Sequence, residues 1–173
     1  GLTGYDNTYR NITTVNLKSK NVLDYNIKLF TYFADPNHDG KFDDGIDGFR
    51  LDHMMDTLDN KPQLADLFKD FWTPLFAQLK KVNPNLIFTA EQANWFSYGF
   101  EYFTQGNVDR IFDFGLQMAI ASFDKNKIAV MADSTLNRTP NNKAQSVFIY
   151  NHDMKRFASE VNKNIDKERI RAA

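Results

Sequence analysis

The feature that most constrains this chain is an alternation. Short apolar segments at residues 45–52, 86–90, 108–112 and 146–150 are separated by stretches with helical spacing. Val22, Leu23, Ile27, Leu29, Phe30 and Phe33 predict an amphipathic helix over 21–33. Leu64, Leu67, Phe68, Phe71, Leu75, Phe76 and Leu79 predict another, from an Asn60 cap and Lys61-Pro62 to about Lys81. Pro74 lies inside that run and is expected to kink or split it. A helical turn is expected near 98–104, and helices over 116–123 and 129–136. Met54 and Met55 read as packing residues at a helix start, and a last helix is expected from Lys163.

Strands alternating with helices imply an α/β protein with a parallel sheet and crossover helices. An open doubly wound sheet and a closed barrel both fit this order. No glycine-rich loop follows any strand, which disfavours the dinucleotide-binding version. Residues 1–20 are rich in Asn, Thr, Gly and Tyr without a period and read as an irregular excursion. The opening, from Gly1, is not a charged-then-apolar leader and reads as a trimmed or internal start.

The placement of acids is informative. Asp52, Glu91 and Asp153 each follow an apolar strand-like segment. In a parallel barrel the carboxyl ends of the strands form one face, where active sites are built. Two facing carboxyl groups are the minimum equipment of a glycosidase. Arg50 lies two residues before Asp52, on the same face of a strand, and is expected to hold it ionised. Glu91 has Ala90, Ala93 and Trp95 around it, and a less polar setting is expected to favour its protonated form. Trp95 and Tyr98 fit a cleft lining or the core equally well.

The sequence 35–43, from Asp35 to Asp43, carries oxygen ligands at alternate positions and Gly40 at the sixth. That is the spacing of an EF-hand-like calcium loop, with Asp35, Asn37, Asp39 and Asp43 as side-chain ligands and Lys41 through its carbonyl. Ile46 stands where the bidentate Glu belongs, and Asp44 or Asp47 could substitute. The plain alternative is a solvated acidic turn.

Composition narrows the partners. A net charge of −1 gives no basic field for nucleic acid. There is no cysteine, which excludes disulfides and thiolate metal sites. No apolar run reaches the length of a membrane span. Sixteen phenylalanines point to a Phe-rich core. With three histidines and only His152 at a strand end, a metal-dependent hydrolase is disfavoured.

Three segments together resemble the α-amylase family, glycoside hydrolase family thirteen. The run 48–52, Gly-Phe-Arg-Leu-Asp, resembles the family's second signature region. Ala90-Glu91-Gln92 with Trp95 looks like the third, and 148–153, ending Asn151-His152-Asp153, resembles the fourth. Their order is that of barrel strands four, five and seven, with 108–113 where strand six belongs. The resemblance implies a partial (β/α)8 TIM barrel over 21–173, about strands four to seven with their helices, and residues 1–20 as the tail of an inserted loop domain. It implies a retaining α-glucan hydrolase with Asp52 as nucleophile and Glu91 as acid/base. Asp153 would bind sugar hydroxyls, Arg50 would orient Asp52, and His152 would contact the sugar. A transglycosylase relative and a non-catalytic carbohydrate-binding fragment stay open. The family's Lys-His pair after the nucleophile is replaced by Met55-Asp56, and its usual Asp before helix three is absent from 13–16. The first signature region, strands one to three and strand eight have no counterpart here. Starch polymers are met outside the cytoplasm, so an extracellular or periplasmic location is expected.

Overall fold

A computed structural model describes residues 1–4 and 6–159; the helix expected from Lys163 lies outside them. The architecture is mixed α/β. Four parallel strands, β3 (Gly48–Met54), β4 (Ile87–Gln92), β5 (Arg110–Phe112) and β6 (Ala144–Ser146), lie side by side in chain order. The connections carry α1 (Lys20–Ala34) before β3, α2 (Thr73–Val82), α3 (Phe100–Thr104), and α4 (Phe114–Ser122) with α5 (Lys125–Arg138). No described helix is long and apolar enough to cross a membrane.

The N-terminal excursion holds a small antiparallel pair, β1 (Leu2–Thr3) with β2 (Tyr9–Arg10). It is tied down by Asn60, whose side-chain amide donates to the carbonyls of Thr3 and Gly4. Asn60 therefore caps no helix; Lys61 precedes the 3-10 turn Pro62–Leu64. Lys18 bonds Asp70 at 2.9 Å, and that carboxylate holds the ammonium above its ordinary pKa.

The long helix expected to about Lys81 is split. A π-turn over Phe68–Trp72 precedes α2, with the Thr73 N–H reaching back to the Phe68 carbonyl. Pro74 has no N–H to give the carbonyl four residues earlier, and the wider turn re-routes the ladder just before it. All four strands differ in their bounds from expectation, the third starting at Arg110 rather than Val108. The first runs 48–54 rather than 45–52, so Met54 ends a strand, fully buried, rather than starting a helix. The second includes Glu91 and Gln92. The fourth covers 144–146 rather than 146–150, because its hydrogen bonds follow the short β5 partner and not the apolar run.

Register decides which face each residue takes. Phe49 lies opposite Phe88, and Leu51 opposite Ala90, which in turn pairs with Ile111. Side chains alternate along a strand, so these share one face, and they are the core. Helices α1 and α2 cover it. A row of rings crosses the layer, Phe30 on Phe49 at 4.7 Å, Phe49 on Phe88 at 6.2 Å and Phe88 on Phe76 at 4.2 Å. Part of the phenylalanine excess thus serves the core, while Phe33, Phe42, Phe96 and Phe123 are exposed. The opposite face carries Arg50, Asp52, Thr89, Glu91, Arg110 and Phe112. Only Glu91 of these is buried.

The amino ends of the strands are latched by Asp109. Its carboxylate accepts from the Phe88 N–H at 3.0 Å and from Lys80 at 3.1 Å, with Lys143 at 3.5 Å. Phe88 is central to the ring row and fully buried. Phe88→Ala is expected to cost about 3–5 kcal/mol, as for a buried ring lost to a cavity, read as a lower midpoint in urea denaturation.

Candidate active site

Parallel pairing brings the carboxyl ends of β3 and β4 together, and the register breaks there. Leu51 to Met54 on β3 spans the same length as Ala90 to Gln92 on β4, so one extra residue is bulged. His53 takes it up with a φ of 44°, in the left-handed region. The bulge falls beside Asp52, where a strand end re-aims a side chain.

Arg50 is the hub. Its Nη1 lies 2.5 Å from Asp52 Oδ1 and its Nη2 lies 2.8 Å from Glu91 Oε2. One guanidinium therefore clasps two carboxylates from neighbouring strands. The two acids are unlike in setting: the Asp52 side chain is 75% exposed, that of Glu91 only 5%. Glu91 also accepts the backbone N–H of His53 at 3.3 Å. Its surroundings are thus a cation and an amide, not the apolar setting expected from Ala90, Ala93 and Trp95. Trp95 instead stacks on Phe114 at 4.4 Å. The guanidinium carbon also stands 5.8 Å from the centre of the Phe112 ring, which flanks the cluster on β5.

A cleft of about 490 Å³ adjoins the cluster, lined by His53, Asp59, Ala93, Asn94, Trp95 and Phe96. His53 Nε2 faces Asp59 at 3.7 Å on its wall. His53 had no role in the sequence reading; its place directly after Asp52 was visible, its positive φ was not. Tyr98 packs near Phe100 and under Arg138, away from this cleft's lining.

Tyr102 was also missed. Its phenol donates to the Met54 carbonyl at 2.5 Å and accepts from the Ala93 N–H at 2.9 Å. It joins the residues two beyond Asp52 and two beyond Glu91, holding the two acid-bearing ends at fixed spacing. Burial pushes the phenol up to about 12. A Tyr among phenylalanines, at a position expected to be helical, was the available signal, since a buried hydroxyl needs partners.

Asp153 and His152 lie beyond β6. His152 Nε2 sits 3.2 Å from Asp153 Oδ2, and both are exposed. Among the described residues neither forms a hydrogen bond or ion pair with Arg50, Asp52 or Glu91. The segment before them is anchored: Gln117 donates to the Ile149 carbonyl at 3.1 Å, and Phe148 meets Phe112 and Phe114 edge-on. Met55 and Asp56 serve the scaffold. The Met55 carbonyl accepts from Trp72 Nε1, and Asp56 accepts the Phe68 N–H.

In the loop at 35–43, Asp35 accepts from the Gly40 N–H, Asn37 from that of Asp39, and Asp39 from that of Lys41. Among the described residues no three His, Asp or Glu side chains gather as a metal-holding group. The sequence matches no protein-family model, and no curated protein matches it significantly. Fold and site define an α/β protein whose parallel strands carry an arginine-bridged pair of carboxylates on one face.

Two substitutions test this geometry. Arg50→Met is expected to destabilise the chain by about 1–3 kcal/mol, because Glu91 keeps only one donor while buried. The value belongs at the low end, since Arg50 is itself partly exposed, and adding Glu91→Gln should recover part of it in urea titrations. Tyr102→Phe should cost about 1–3 kcal/mol through two abandoned backbone partners. The phenol ionises near 12 in the fold against 10.0 unperturbed, so its contribution is complete below pH 10 and is lost as pH rises towards 12. The alkaline decline in stability should therefore be shallower in the Phe variant.

Proposed function

We propose that this chain is the central part of a (β/α)8 barrel of the α-amylase family, about strands four to seven, and that it serves retaining hydrolysis of α-glucans. The observation that carries the reading is Arg50 holding Asp52 and Glu91, from adjacent parallel strands, on one uncovered face. Two features support the barrel. The strands follow one another in chain order with no reversal, unlike a doubly wound sheet. Parallel sheets are normally covered on both faces, and here one face leaves Arg50, Ile87, Arg110 and Ala144 exposed. Closing the sheet would turn that face inward.

In this mechanism Asp52 attacks the anomeric carbon as the bond to the leaving oxygen breaks, and Glu91 gives that oxygen its proton. Negative charge thereby passes from Asp52, now an ester, to Glu91. A guanidinium touching both acids stabilises the anion on either side of the step. Glu91 then takes a proton from water, which attacks the anomeric carbon, breaks its bond to the Asp52 oxygen and frees the carboxylate. The retaining route needs carboxyl groups about 5–5.5 Å apart, a spacing one guanidinium can span. Asp153 and His152, following β6 at the carboxyl end of the sheet, would bind sugar hydroxyls.

Incubation with an activated α-glucosyl fluoride and peptide mass spectrometry test the reading. A glycosyl adduct on Asp52, absent from Asp52→Asn, is expected. Glu91→Gln should slow turnover of a maltooligosaccharide by about 10²–10⁴-fold, the usual worth of a general acid. Sugar binding with neither adduct nor turnover would support a non-catalytic binding role instead.

A further inference from the structure

The cleft beside the arginine cluster has walls that the two acids do not account for. It begins where β4 ends, since Ala93 and Asn94 on one wall follow Glu91 by two and three residues. On the other wall is His53, whose backbone N–H donates to Glu91 Oε2 at 3.3 Å. In a retaining glycosidase the acid protonates the departing oxygen, so the sugar that leaves lies on the acid's side. The volume, about 490 Å³, is that of a small-molecule site. Residues 55–56, where the resembled family keeps its Lys-His pair, are engaged elsewhere: the Met55 carbonyl by Trp72 and Asp56 Oδ1 by the Phe68 N–H.

Two polar side chains meet on the wall instead. His53 Nε2 and Asp59 Oδ2 stand 3.7 Å apart, beyond hydrogen-bond length, with side chains 35% and 28% exposed. Sheltered but reachable, a ring nitrogen and a carboxylate at that spacing match neighbouring hydroxyls of one sugar. Both are held in place. The bulge on β3 sets His53, with its φ of 44°. Asp59 sits in a turn closed by the Lys61 N–H on the Leu58 carbonyl at 2.9 Å, and Asn60 pins that turn to Thr3 and Gly4. Phe96 completes the cleft, its ring 86% exposed. Asn94 fixes its loop, accepting the Phe96 N–H on Oδ1 at 2.9 Å and the Ser97 N–H on its carbonyl at 3.2 Å. A ring held out in water gains by covering its face with C–H groups. A polar pair with an apolar ring suits a pyranose, which has a hydroxyl rim and C–H faces.

We infer that His53 and Asp59 bind the sugar on the leaving side of the scissile bond, in place of residues 55–56. The inference rests on the assignment of Asp52 and Glu91 as the reacting pair. Asp59 accepts from one hydroxyl of the departing unit, His53 bonds a second, and Phe96 packs against its C–H face. These contacts hold the departing oxygen against Glu91 without touching the anomeric carbon. They therefore determine which leaving group is favoured, and a substrate whose leaving group is not a sugar bypasses them.

Two substrates separate leaving-side binding from the chemistry. Maltotriose places a sugar in the cleft, and α-glucosyl fluoride places only fluoride there. The variants are Asp59→Ala and His53→Gly, because glycine accepts the positive φ and keeps the N–H for Glu91. Each is expected to lower kcat/KM for maltotriose, relative to that for the fluoride, by about tenfold or more, as for a lost hydrogen bond to a polar site. Phe96→Ser, at a position too exposed to matter for folding, should raise KM for maltotriose more than it lowers kcat. An unchanged ratio in both His53→Gly and Asp59→Ala, whether both rates fall or neither does, overturns the inference. If the parent chain turns over neither substrate, the assignment of Asp52 and Glu91 is what fails. Maltose titrated against the whole chain by calorimetry then decides the cleft. Binding to the parent that both variants lose supports a sugar site at His53 and Asp59; no binding, or binding that both keep, overturns it.

Discussion

The parallel pairing of β3 with β4 sets the position of nearly every residue of the ring core and the charged cluster. With Phe49 opposite Phe88 and Arg50 opposite Thr89, one face of the pair is committed to rings and aliphatic side chains and the other to charge. A slip by one residue would exchange the faces, burying Arg50 and Glu91 in the phenylalanine layer. Burial of the ring row therefore protects the register, and the register in turn assembles the charged cluster. Asp109 reinforces it from the opposite end by gripping the Phe88 N–H and two lysines.

The site end is held more loosely and by different means. Pairing is interrupted by the bulge at Asp52–His53, and the strands there are joined through a side chain, the Tyr102 phenol. This division suits a functional end: backbone ladders fix the amino ends of the strands, while polar contacts shape the carboxyl ends. Arg50 contributes to both tasks, since it belongs to the regular part of β3 but reaches the acids at and beyond the bulge.

The uncovered face gives the architecture its direction. Phe112 and Phe148 begin to roof it near β5, yet Arg50 and Arg110 remain open to solvent. The proposed barrel and the proposed glycosidase chemistry rest on this same face.

Sequence alone determined the alternation of elements, the parallel sheet and the pairing of Arg50 with Asp52. These follow from local spacing: apolar periodicity separates strand from helix, and residues two apart on a strand share a face. It also singled out Pro74 as the breaking point of its helix and the alternating oxygens of 35–43. Strand ends were less legible, because hydrogen bonding to a neighbour, as β6 has with β5, overrides the apolar run at 146–150. Only the tertiary structure decided that Arg50 reaches Glu91, forty-one residues away, that His53 turns into a positive φ, and that Tyr102 bridges the two strand ends. It also left His152 and Asp153 paired with each other. Each of these depends on where separate segments meet in space, and neither composition nor periodicity encodes a distance between strands.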